Sequence, residues 1–302
     1  MRYRSFSESG QAVSALSLSL DDADLPPGDL NALIVSALEA GVNCYEARVD
    51  DLDALYAIGK ATATLERRMV LVGLRVPLDS GKGQRLLDRG TVIRQLQEAL
   101  RASGLRWIDY LMIEDPQPGE FDPAFRATIE AAHQARRLRF VGIRGDSETV
   151  DKLLADAAVD IYAAPYNLRA SWITRSRMRT AVHGGLTVLG YNYYPAEVRA
   201  SLAAPVAEAP RRSGLLGFGL GLARSVEARP ERPAPYHFLD RIREWDADQI
   251  CLAYALTEPS LCTVQISADS AQTITHLASV VERELPAGLP AQIELARLSD
   301  LD

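Results

Sequence analysis

The chain has 302 residues, an apolar share of 47% and a formal net charge of −7. That length and apolar share suit one large α/β barrel or two ordinary domains, with a core that needs no external staple. The charge argues against a nucleic-acid partner, because phosphate binding relies on clustered Lys and Arg, and the pairs Arg136-Arg137 and Arg211-Arg212 read as short solvated runs. Cys44, Cys251 and Cys262 are odd in number and form no CxxC spacing, which fits a thiol-reducing cytoplasm. The opening Met1-Arg2-Tyr3-Arg4-Ser5 has no apolar signal core, and no apolar run reaches the length that spans a bilayer.

Short β-rich runs alternate with longer helical patterns, the mark of parallel βαβ units. Strands are predicted at Ser14–Leu20, Asn43–Tyr45, Met69–Arg75, Tyr110–Ile113, Phe140–Ile143, Ile161–Ala164, Thr187–Gly190 and Thr263–Ile266. Eight of them predict an α/β fold, a closed (β/α)₈ TIM barrel spanning residues 1–302 as a single domain. Leu30, Leu33, Ile34, Ala37 and Leu38 fall at helical spacing and line one face toward the barrel. Gly41 follows that helix and Gly104 follows Val92–Ala102, where left-handed caps are expected. Residues 194–246 form a long Pro-, Gly-, Ala- and Arg-rich insertion, read as a loop or lid, or as an oligomer contact. Its Gly214, Gly217, Gly219 and Gly221 lack the strand and helix that a dinucleotide fingerprint requires. Asp240, Arg241, Arg243 and Glu244 read as an exposed helix face, and Leu289–Leu301 as a terminal helix.

Two stretches carry a family resemblance. They are Ser36-Ala37-Leu38-Glu39-Ala40-Gly41-Val42-Asn43-Cys44-Tyr45-Glu46 and Leu105-Arg106-Trp107-Ile108-Asp109-Tyr110-Leu111-Met112-Ile113-Glu114-Asp115-Pro116. Both resemble the segments leading into the second and fourth barrel strands of the aldo-keto reductases. The resemblance implies an N-terminal β-hairpin over Tyr3–Ala15, turning near Ser9-Gly10. It also implies an active-site tetrad of Asp, Tyr, Lys and His at strand ends. Here Glu46 takes the Asp slot, Arg75 the Lys slot and Glu114 the His slot. The Tyr slot falls at Asp51, and the next tyrosine, Tyr56, belongs to the following helix. The family's proton donor is therefore missing.

The cofactor slots differ as well. Arg144 and Gly145 stand where the family places a Ser-Asn pair, and Ala163 where it places a Gln. Tyr191 keeps the ring-stacking aromatic and is the one retained cofactor-binding candidate. Asp269 would repel a phosphate, and His276 lies at the adenine contact. Arg144, Asp146, Tyr166, Asn167 and Tyr191 are the candidate substrate-binding residues, with Tyr193 and Tyr194 as stacking or roofing aromatics. Glu46 and Arg75 are expected to touch, and Arg144, Glu114 and Tyr191 to line one cavity. A guanidinium there favours a small anion. The four histidines, His133, His183, His237 and His276, show no ligand spacing, and no metal site is expected.

Two readings follow for function. One is a divergent aldo-keto-reductase-like barrel that binds no cofactor, whether it performs proton transfer on a small anionic molecule or is an idle binding or scaffold protein. The alternative is a working NADPH-dependent reductase with an unconventional active site. A homo-oligomer or a protein partner is compatible with either.

Overall fold

The computed structural model describes residues 1–7, 10–21, 25–78, 87–156, 158–203 and 236–300. A hairpin of β1 (Tyr3–Phe6) and β2 (Gln11–Ser14) precedes eight barrel strands. These are β3 (Leu16–Ser19), β4 (Cys44–Arg48), β5 (Leu71–Val76), β6 (Ile108–Glu114), β7 (Leu138–Arg144), β8 (Ile161–Pro165), β9 (Thr187–Tyr191) and β10 (Leu261–Ser267). They close in chain order, with β10 paired to β3, and every barrel pair is parallel. Each predicted strand falls on an observed one. The first, Ser14–Leu20, spans the end of β2 and the whole of β3, because the chain turns at Ala15, whose N–H donates to Arg2. Several strands also run further than predicted, into polar ends such as Arg48, Glu114 and Arg144.

Among the described residues, ten α-helices cover the barrel: α1 (Pro27–Glu39), α2 (Leu52–Thr62), α3 (Arg89–Ser103), α4 (Pro123–Gln134), α5 (Glu148–Ala155), α6 (Trp172–His183), α7 (Ala196–Ala203), α8 (Ala247–Leu256), α9 (Ala271–Ala278) and α10 (Leu289–Asp300). In α1 the predicted apolar face is buried at Leu30, Leu33, Ile34 and Ala37, with Leu38 half-buried. Asp51, Asp88, Asp122, Ser147, Ser171 and Ser270 cap helix N-termini by accepting from backbone N–H groups, which satisfies donors a helix start leaves open. Gly104 caps α3 in the left-handed region at φ +66. Residues 240–244 are not a helix face. A 3₁₀ turn, Leu239–Arg241, is followed by Glu244 at positive φ. Of the long insertion, residues 194–203 and 236–246 are described. Gly214, Gly217, Gly219 and Gly221 lie outside the described residues, as does Ser9 of the hairpin turn. No helix among the described residues is long and apolar enough to cross a membrane.

The motif residues turn out to be structural ties. Asp109 is fully buried, and it accepts from Arg67 at 2.6 Å, Arg139 at 2.9 Å, the Trp107 indole at 3.0 Å and the Val72 N–H at 2.8 Å. Asn43 joins hairpin to barrel by donating to Ala12 and Met69 and accepting from Ser14. Phe6 completes the plug. It is fully buried, with ring centroids 6.1 Å from Tyr110 and 5.8 Å from Phe140. Replacing Phe6 by Ala should lower stability by about 3–5 kcal/mol in urea denaturation. A loss under about 1 kcal/mol would mean the plug is not part of the core.

Candidate functional site

Strand pleating decides what enters the barrel mouth. Side chains alternate between faces, and the C-terminal strand ends ring one opening. Five such ends deliver polar groups: Glu46 on β4, Arg75 on β5, Glu114 on β6, Arg144 on β7 and Gln265 on β10. Asp21 follows β3. Their side chains form one connected network. Arg75 bridges Asp21, at 2.7 Å from Nε and 2.5 Å from Nη2, and Glu114. Arg144 reaches Glu46 at 3.5 Å, Glu114 at 3.6 Å and the Gln265 amide oxygen at 3.0 Å. The Gln265 amide nitrogen donates to Glu46 at 2.9 Å. Glu46 and Arg75 do approach, at 4.0 Å, but neither is the other's main partner. The guanidinium of Arg144 also lies over the Tyr191 ring, 3.8 Å from its centroid.

Above this network is a cleft of about 450 Å³, lined by Arg75, Glu114, Arg144, Tyr191, Gln265 and Arg199, with Asp21 and Tyr193 at its sides. Arg144, Glu114 and Tyr191 therefore share one cavity, as expected. Glu46 lies beneath the floor, 1% exposed. Three carboxylates face two guanidiniums, so with every group ionised the cluster carries one excess negative charge. Burial is the main force raising the Glu46 and Asp21 carboxyls above their usual range, opposed by Arg144 at Glu46 and by Arg75 at Asp21. Asp21 Oδ1 is buried without a hydrogen-bond partner. One proton on this pair would cancel the excess charge.

Other expected residues point elsewhere. Asp146 is captured by Arg177 of α6, and its side chain is half-exposed outside the mouth. Tyr166 is buried, with its ring stacked on Tyr254 at 6.3 Å. Asn167 braces two loops by donating to the Asn192 carbonyl at 3.0 Å and accepting from the Arg169 N–H at 2.9 Å. Asp51, in the tyrosine slot, caps α2 by accepting from the Ala54 N–H at 2.9 Å, and Tyr56 is exposed on that helix. Asp269 is exposed, and its hydrogen bond from Thr273 holds the carboxyl below the usual range, so it stays ionised.

His276 does meet carboxylates, against the expectation of scattered histidines. Its Nε2 lies 3.6 Å from Asp246 and 3.4 Å from Asp248, brought together by α8 and α9 rather than by sequence spacing. Gln249 receives Arg283 on its amide oxygen, so its amide nitrogen faces His276 Nδ1 at 3.4 Å. The three cysteines are free and buried.

Sequence reasoning missed Asp21, Gln265 and Arg199. Asp21 and Gln265 were within reach, since one follows the first barrel strand and the other faces inward on the last.

Two outcomes test the network. Arg75→Ala strands Asp21 and Glu114 and should cost about 3–5 kcal/mol in chemical denaturation. Glu46→Gln should change the pH profile of stability. A carboxyl with a raised folded pKa contributes most below its unfolded value of 4.5 and loses that contribution as pH rises through the folded value. The variant's stability relative to the parent should therefore increase from pH near 4.5 upward. A difference that stays flat with pH would show that Glu46 titrates normally.

No protein-family model matches the chain, and no curated protein matches it in sequence. Solved structures do match. An aldo-keto reductase of Bacillus halodurans, in its holo form, aligns at TM-score 0.75 and 17% identity, covering 98% of this chain and 96% of that one. An aldo-keto reductase of Klebsiella pneumoniae, in complex with NADPH, aligns at TM-score 0.71 and 14% identity, covering 98% and 95%. The closed eight-stranded barrel with its N-terminal hairpin is the fold of the aldo-keto reductases.

Proposed function

We propose that this barrel performs no ordinary NADPH-linked carbonyl reduction, and that its cleft binds a small molecule carrying an anionic group and moves a proton to or from it. One observation carries the reading: the Arg144 guanidinium is pinned over Tyr191 by Glu46, Glu114 and Gln265. The guanidinium occupies one face of the ring on which, by the resemblance, a nicotinamide would stack. The residues around it do not favour the cofactor either. By the resemblance, Ala163 falls in the slot of the family's amide, and Asp269, an ionised carboxylate, falls in the phosphate-binding stretch and would repel a phosphate.

The anion's place differs from the sequence-based expectation. Arg75 is held by Asp21 and Glu114, and Arg144 is paired with Glu46 and Glu114, so neither faces the cleft as an unpaired positive charge. Arg199, on α7, lines the same cleft and has no carboxylate partner among the described residues. Its guanidinium lies 5.6 Å from the Tyr194 ring centroid. An anionic group at Arg199 would lay the rest of a small ligand along Tyr191 and Tyr193, toward Glu114. The retained proton of the cluster is then the one that moves, between a buried carboxyl and a basic atom of the ligand. The pairing of Arg75 and Arg144 with carboxylates equally favours a second reading, a binding protein without catalysis. The competing reading is NADPH-dependent reduction, as the Klebsiella pneumoniae neighbour's bound NADPH would imply by analogy.

Titration with NADPH and NADP⁺ tests the first part. A ligand at a hundred times its Kd adds about 2.7 kcal/mol of stability, and no such rise in melting temperature is expected. Saturable binding at micromolar Kd would overturn the reading. Proton transfer is tested in D₂O with small carboxylic acids that have acidic α-protons, followed by NMR. Exchange should occur with the parent protein and fall at least tenfold, about 1.4 kcal/mol of barrier, in Glu46→Gln. Binding without exchange would favour the idle protein.

A further inference from the structure

Glu46 is reached from the side opposite the cleft as well. Register puts Glu46 of β4 level with Gly73 of β5, and Gly73 level with Tyr110 of β6. Three neighbouring strands thus present, in one row inside the barrel, a carboxyl, a gap and a phenol. A methyl group at Gly73 would overlap the Tyr110 ring and approach its hydroxyl. The missing side chain is what lets the ring cross β5. Strands lie roughly 4.8 Å apart, so a Tyr and a Glu two strands apart meet over the glycine between them. Tyr110 is fully buried. Its hydroxyl lies 3.8 Å from the Cys44 sulfur, on the row that leads to Glu46, and close enough for the carboxyl to act on it electrostatically.

We infer that Tyr110 is a positioning residue that allows Glu46 to hold and to release a proton while buried. The inference rests on the proton-transfer reading above. The groups facing Glu46 are Asp21 beyond β3, Cys44 on its own strand, Arg75, Tyr110 and Glu114 on β5 and β6, Arg144 on β7 and Gln265 on β10. The guanidiniums can only donate, and Gln265 offers Glu46 its amide nitrogen because its oxygen is taken by Arg144. Both act on Oε1, and neither can accept the hydrogen that a protonated Glu46 carries on its other oxygen. A phenol donates and accepts. It donates to ionised Glu46 and, after turning about its C–O bond, accepts from protonated Glu46. The phenol keeps its own proton throughout, since burial pushes its pKa far up. The proton that moves is the carboxyl's; it reaches the ligand's basic atom by way of the cleft-lining carboxylates Asp21 and Glu114 and leaves a carboxylate at Glu46.

Infrared titration of the Glu46 carboxyl tests this without any substrate. Its C=O band is identified by its disappearance in Glu46→Gln. Tyr110→Phe keeps the ring in the core and removes only the hydroxyl. A hydrogen bond to an ionised group is worth more than one to a neutral group, so the Glu46 midpoint should move up by about one pH unit. Gly73→Ala, which pushes the phenol aside but keeps it, should shift the midpoint the same way. A midpoint unmoved in a cooperatively folded Tyr110→Phe protein would overturn the inference, and so would the absence of any Glu46 band in the parent. A merely structural role lowers melting temperature and leaves the midpoint in place. NADPH binding would defeat the non-redox reading without moving this midpoint, so the two failures are separable.

Discussion

Two guanidiniums stand inside the mouth of a barrel, and neither Arg75 nor Arg144 can shed its charge by losing a proton. Everything around them answers that constraint. Asp21, Glu46 and Glu114 converge on them, and Gln265 fills the remaining valence between Arg144 and Glu46. Such a network is costly to desolvate and more costly to break, so its members are locked together. Each side chain's position is set by its partners, and Arg144 in particular has no freedom to leave the Tyr191 ring.

The fold was legible in the residues that make it. Asn43 and Asp109 sit in the two stretches that carry the family resemblance, and both are saturated structural hubs. Their partners are backbone groups and arginines at strand beginnings, far from the mouth. A sequence can keep these hubs while every group at the opposite ends changes, which is why the likeness specifies a barrel and says little about chemistry.

The site was legible in part, for reasons of geometry. Glu46, Arg75, Glu114, Arg144 and Tyr191 lie on strands, where position and pleat together fix direction. Asp146, Tyr166 and Asn167 lie past their strand ends, where direction depends on what the loop meets. Arg177 of α6 and Tyr254 of α8 claim two of them, and no local pattern announces those partners. Arg199 was hidden for the same reason, since α7 sits within a segment read as loop. The His276 cluster joins residues about thirty positions apart, beyond the reach of any motif.

The hairpin has a consequence for how the chain assembles. Arg4 donates to the carbonyls of Leu256, Glu258 and Leu261, across more than 250 residues of sequence. β3 likewise waits for β10 to complete its pairing. During synthesis the first barrel strand is therefore among the last to be satisfied, and one of its edges stays open until residue 267 has emerged. Contacts of such sequence separation slow folding.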